Sequence, residues 1–119
     1  MKDLKTRTKS FSLRIIKLYC ALPKSTEAQV IGKQILRSGT SVGAHYREGM
    51  RARSNAEFIS KVEGGLQELE ESQYWLELLV ESKIIKENLL TELYQESEEL
   101  KAIMITCAKN AKKKLPLKK

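Results

Sequence analysis

Along the segment that runs from Phe58 to Leu79, the residues suited to a buried seam are Phe58, Val62, Gly65, Leu69, Ser72, Leu76 and Leu79. They are separated by steps of four and three. A strand would alternate every second residue, and a lone surface helix would show a broader apolar stripe. Alternating threes and fours describe a narrow seam between helices that cross at about 20°. The same rhythm returns in Leu93, Ser97, Leu100, Met104, Cys107 and Ala111, and in Phe11, Ile15, Leu18 and Leu22. A chain patterned this way has few options besides a helical bundle.

The boundaries between the helices are also written in the sequence. The first helix is expected from about Thr6 to Ala21, stopped by Pro23, because the residue before proline is pushed out of the α region. Ser25 or Thr26 is a candidate cap for the second, with Thr26 and Gln29 in capping-box spacing. Ser54 and Glu57 form the same box before the third, and the fourth begins near Glu87. Short connections make successive helices antiparallel. The expected fold is therefore all-α, an antiparallel up-down-up-down four-helix bundle over residues 1–112 followed by a basic tail, 113–119. The competing arrangement is a three-helix core with one helix lent to another chain.

The second helix contains the stretch "RSGTSVGAHYREG", residues 37–49, whose glycines and serines resemble a phosphate-binding loop. Its phase argues otherwise. At about 100° per residue, Ala28, Ile31, Ile35, Ser38, Val42, Tyr46 and Gly49 share one side. Gly32, Gly39, Gly43 and Met50 lie on the adjoining flank, and Lys33, Arg37, Thr40, Ala44, Arg47 and Arg51 lie opposite. A loop would break this phase. A P-loop also needs its last glycine followed by Lys and Ser/Thr, whereas Gly43 is followed by Ala44 and His45. Each glycine within a helix costs about 1 kcal/mol relative to alanine. Gly32, Gly39 and Gly43 are thus expected to lie against a close neighbour, either a helix of the same chain or another subunit.

Charge is unevenly spread. Residues 1–55 hold twelve Lys/Arg and three Asp/Glu, residues 56–107 hold four Lys/Arg and twelve Glu, and the last twelve residues add six Lys, for a net charge of +7. Such segregation suits polyanion binding, self-association between opposite patches, or simply solvated helix faces. The basic stripe Lys33, Arg37, Arg47 and Arg51, with Arg53 just beyond it, is the best candidate for contacting successive phosphates without reading bases. Lys9, Arg14 and Lys17 extend that field. The stripe is expected to have no exposed Trp, Phe or Leu beside it for insertion into lipid, which ranks a membrane surface lower.

Catalysis is not expected. The chain has one histidine, His45, so neither a Ser/His/Asp grouping nor the paired Glu-x-x-His motifs of a di-iron bundle can be assembled. No metal or other cofactor is expected. The glutamates of helix three read as a solvated face. Cys20 and Cys107 lie within helical patterns, which suggests buried thiols in a reducing cytoplasm. The apolar run "FSLRIIKLYCAL" is interrupted by Arg14 and Lys17, so it is not read as a signal peptide, and the expected location is cytoplasmic.

Three segments together carry a resemblance: "LRSGTSVGAHYREG", "RSNAEFISKVEGGLQELEESQYWLELLVES" and "EELKAIMITCAKNAKKK". In this order and spacing, over roughly residues 7–112, the chain resembles the bacterial four helix bundle protein family. Its founding members are encoded in intervening sequences of large-subunit ribosomal RNA genes. The resemblance implies a four-helix bundle, often a ring of five subunits, with no established enzymatic activity. A related group includes accessory proteins of diversity-generating retroelements, which bind a reverse transcriptase and nucleic acid. The helix-two signature falls on Arg37, Ser38, Gly39, Ser41, Gly43, Tyr46, Arg47 and Glu48, with His45 where many relatives have Asn. The expected function is an oligomeric scaffold, a pentamer by resemblance, that binds RNA, DNA or a nucleic-acid enzyme through the basic stripe. The alternative is a structural or protein-interaction module whose positive charge meets the acidic helices of its own neighbours.

Overall fold

The computed structural model describes residues 3–115, and four helices account for most of them. These are α1 (Leu4–Ala21), α2 (Thr26–Met50), α3 (Asn55–Glu81) and α4 (Glu87–Lys112). No strand occurs among the described residues. Connections of only a few residues turn the chain back each time. Each helix packs on its sequence neighbours, and α1 meets α4 to close the cycle across its lightest seam. Because α1 packs on α2 of its own chain, the arrangement is the up-down-up-down bundle, and no helix is lent away. The basic tail expected at 113–119 is described only as far as Leu115, so residues 116–119 lie outside the described residues.

The core follows the seams. Phe11, Ile15, Ile35, Val42, Val62, Leu69, Leu79, Leu100 and Met104 are completely enclosed. Serines that share these seams are buried as well, and they bond across the bundle. Ser38 and Ser72 bring their hydroxyls within 2.8 Å, while the Gln73 side-chain amide donates to Ser97 at 3.0 Å. Buried hydroxyls matched this way avoid the 1–3 kcal/mol cost of an unsatisfied group.

Four local expectations are corrected. First, α1 starts at Leu4, two residues early, because Asp3 Oδ1 accepts a hydrogen bond from the Thr6 N–H at 2.8 Å and caps the helix. This bond holds the Asp3 carboxyl below its usual pKa. Second, Thr26 and Gln29 form no capping box. Gln29 instead donates to the Pro23 carbonyl at 2.8 Å and accepts from the Tyr19 hydroxyl at 3.3 Å, bracing the α1–α2 turn. Third, the box at α3 is half made. The Glu57 N–H donates to Ser54 Oγ at 3.1 Å, but the Glu57 carboxylate accepts from the Arg53 N–H. Fourth, Ile59 is buried where Phe58 is half-buried, and Ala108 where Cys107 is half-buried.

The α3–α4 turn carries the one non-glycine residue with positive φ among the described residues, Lys83 at 63°. The Ile84 N–H donates to Leu79 O at 3.0 Å and the Lys83 N–H to Val80 O at 2.9 Å. This is a Schellman ending, with lysine at the position that glycine usually fills.

Candidate nucleic-acid interface

Residues 37–49 are continuous α-helix. The groove formed by the glycines is filled by α1 of the same chain. A Cβ on Gly32 would stand 2.6 Å from Leu22 Cδ1, and one on Gly39 would stand 2.7 Å from Ile15 Cγ1. On Gly43 it would lie 3.2 Å from Thr8 Oγ1. These positions are covered by an internal helix, which is why the chain accepts the helix-propensity cost. The α2–α3 seam repeats the device at Gly65, where a Cβ would meet His45 Cβ and Val42 O of α2 at 3.3 Å and Met104 Cε of α4 at 2.9 Å.

The opposite side of α2 presents the basic residues, and here the structure divides the stripe. Lys33, Arg47, Arg51 and Arg53 are exposed, and their side chains form no ion pair among the described residues. Arg37 is different. Its Nη1 sits 3.0 Å from Glu68 Oε2, and its Nη2 bonds Glu71, also on α3. Those two hydrogen bonds, to Glu71 and then Glu68, raise its pKa further and commit it to the α2–α3 seam. Arg37 is a clamp between helices rather than a free phosphate ligand. The stripe is also interrupted along its length. Fourteen residues separate Lys33 from Arg47, about 21 Å at 1.5 Å per residue.

The remaining arginines gather at one end. In an up-down-up-down bundle α2 and α4 run the same way, so their C-termini share an end. Arg47, Arg51 and Arg53 therefore lie at the end where α4 finishes in Lys109, Lys112, Lys113 and Lys114. Of these four, Lys112 alone forms an ion pair among the described residues, reaching Glu63 at 2.8 Å. None of the four is among the candidate site residues of the sequence, where Lys109 and Lys112 fall in the bundle and Lys113 and Lys114 in the tail. The signal was available in helix parity, since the second and fourth helices must point the same way. Arg47, Lys109 and Lys112 also stand in last turns, where cations stabilise the helix dipole.

Two further side chains depart from expectation. Cys20 is exposed, on the outer face of α1, because its helical phase places it opposite Phe11 and Ile15; Cys107 is half-buried, and burial pushes its thiol pKa up. That outer face also bears Leu13 and Ile16, and α2 itself exposes Val30 and Met50, so the basic side of the molecule does have exposed apolar groups. The His45 ring lies over Gly64, with Nδ1 3.7 Å from Glu48 Oε1 and no hydrogen-bond partner. Among the described residues, no three His, Cys, Asp or Glu side chains converge on a possible metal site. Among the same residues, no helix is long and apolar enough to cross a membrane.

Comparison with known proteins agrees with this architecture. A crystal structure of a protein of unknown function from the S23 ribosomal protein family of Bacteroides thetaiotaomicron superposes with a TM-score of 0.85. It is 38% identical, and the match covers 90% of this chain and 99% of that one. A search of curated proteins returned no match. Residues 2–106 match the family described as 23S rRNA-intervening sequence protein. With nearly the whole bundle inside that match, the chain belongs to the 23S rRNA-intervening sequence protein family.

Proposed function

We propose that this protein is a non-catalytic, homo-oligomeric helical scaffold that binds nucleic acid, or a nucleic-acid enzyme, through the basic end of the bundle. The observation that carries the reading is the meeting of Arg47, Arg51 and Arg53 with Lys109, Lys113 and Lys114 at one end, all without ion-pair partners among the described residues. Cations on rigid helix ends suit phosphate contacts that position a polyanion without reading its bases. Aromatic stacking groups are sparse there, which disfavours recognition of a specific single strand. The pentamer is carried over from the family resemblance.

Fluorescence anisotropy with labelled duplex RNA and DNA tests the reading. Binding should fall linearly on a log–log plot against salt. R47A/R51A/R53A should flatten the slope by up to about 0.9 per lost phosphate contact for duplex DNA. R37A is the control, since it should lower stability while leaving the slope unchanged. Identical affinity and slope in the triple variant would shift the assignment to the protein-interaction reading.

A further inference from the structure

Two surfaces on different sides of the bundle remain without internal partners, and they complement each other. The first is the outer face of α1. Lys9, Leu13, Ile16 and Cys20 recur at i, i+4, i+7 and i+11, on the side away from the core. Leu13 is 57% exposed and Ile16 41%. Lys9 and the flanking Lys17 are exposed and form no ion pair among the described residues.

The second is a cleft of about 500 Å³ between α3 and α4. Leu76, Val80, Leu90 and Tyr94 line it, with Glu77, Glu81 and Glu87 exposed around them. Elsewhere on these helices Arg37 holds Glu68 and Glu71, Arg7 holds Glu96 and Glu99, and Lys112 holds Glu63. At the cleft, Glu77 accepts only the Tyr94 hydroxyl, at 2.9 Å, and Glu81 and Glu87 form no ion pair among the described residues. The cleft thus combines apolar lining with uncompensated negative charge.

We propose that the outer face of α1 from a second copy of this chain seats in the α3–α4 cleft. Leu13 and Ile16 pack on the half-buried Val80 and Tyr94, above the buried Leu76 and Leu90, while Lys9 and Lys17 approach the glutamates. The lengths agree. Lys9 and Lys17 are eight positions apart, as are Glu87 and Gln95 on the α4 wall, each about 12 Å. Exposed ion pairs contribute little alone, so the apolar contact supplies the affinity and the charges set the register. Each copy would offer both surfaces, making the contact head-to-tail and able to close into a ring. The proposal rests on the homo-oligomer reading and specifies the contact that reading needs.

Sedimentation velocity at micromolar concentration tests it, with circular dichroism confirming that each variant stays helical. Wild type should sediment as an assembly and L13E/I16E as a single 13.6 kDa chain. K9E/K17E and E81K/E87K should each weaken assembly by about tenfold at low salt, and mixing the two variants should restore it in part, because alternation in a ring of five leaves one mismatched contact. An L13E/I16E protein that still assembles fully would overturn this contact and leave the oligomer reading standing. A wild type that is monomeric would overturn both. Loss, in L13E/I16E, of binding by a monomeric wild type to phosphatidylserine vesicles would identify lipid as the occupant of the α1 face instead.

Discussion

The guanidinium of Arg7 forks onto the Glu96 carboxylate, with Nη2 2.7 Å from Oε1 and Nε 3.2 Å from Oε2. It does so across the α1–α4 seam, the most lightly packed in the bundle, and Nη2 also reaches Glu99 at 3.0 Å. These bonds, to Glu96 first and Glu99 second, raise the arginine pKa further. Together with Arg37 on Glu68 and Glu71, this pair shows where much of the charge separation between the chain halves is used. It ties helices within one subunit.

Arg7→Ala should therefore loosen α1. A part-buried, charge-assisted fork is worth about 1–2 kcal/mol once discounted for the exposed Glu99. Urea unfolding should show this loss at low salt and a smaller one at high salt. A variant as stable as wild type would mean the seam does not need the ion pair.

Alanine at Gly39 and at Gly64 should act in opposite directions. At Gly39 the new Cβ meets enclosed Ile15 at 2.7 and 2.9 Å, and overpacking of about 1–3 kcal/mol exceeds the gain of about 1 kcal/mol in helix propensity. At Gly64 it meets the His45 ring at 3.2 Å, and that ring is part-exposed and held by no hydrogen bond at Nδ1. Thermal melts should show Gly39→Ala below wild type and Gly64→Ala equal to it or above.

Lys83→Gly should stabilise the protein by about 0.5–1 kcal/mol, because the left-handed conformation strains a side chain and not a glycine. The gain should be visible in urea unfolding. A loss of stability would show that the lysine side chain contributes more than its backbone strain costs.

Tyr94 predicts an alkaline limb. Burial first, then its hydrogen bond to Glu77, raises the phenol pKa to about 12, whereas an unfolded tyrosine titrates near 10. The folded state therefore keeps the proton longer, and the stabilisation is full below about pH 10 and lost as pH rises towards about 12. Tyr94→Phe should be less stable than wild type at neutral pH, and the difference should shrink across that window. A difference that stays constant from pH 9 to 12 would rule the linkage out.

The sequence by itself determined the helices, their seams and the flank that carries Gly32, Gly39 and Gly43. These depend on periodicity, which is a local property of a chain with 3.6 residues per turn. Even Ser72 and Ser97 could be assigned to the core by phase alone, against their polarity. The cap at Asp3 and the exposure of Cys20 were in principle legible too, from an N-cap residue and a wheel position. Only the tertiary structure decided which partner each surface meets. It placed α1, not another subunit, on the glycines, and it turned Arg37 from a candidate phosphate ligand into a clamp on Glu68 and Glu71. That Lys109, Lys113 and Lys114 share an end with Arg47, Arg51 and Arg53 follows from helix parity, but that none of the six forms an ion pair among the described residues is a tertiary fact. Such relationships join residues tens of positions apart, and no local pattern encodes them, because they depend on how whole helices are arranged and on where long side chains reach once they are.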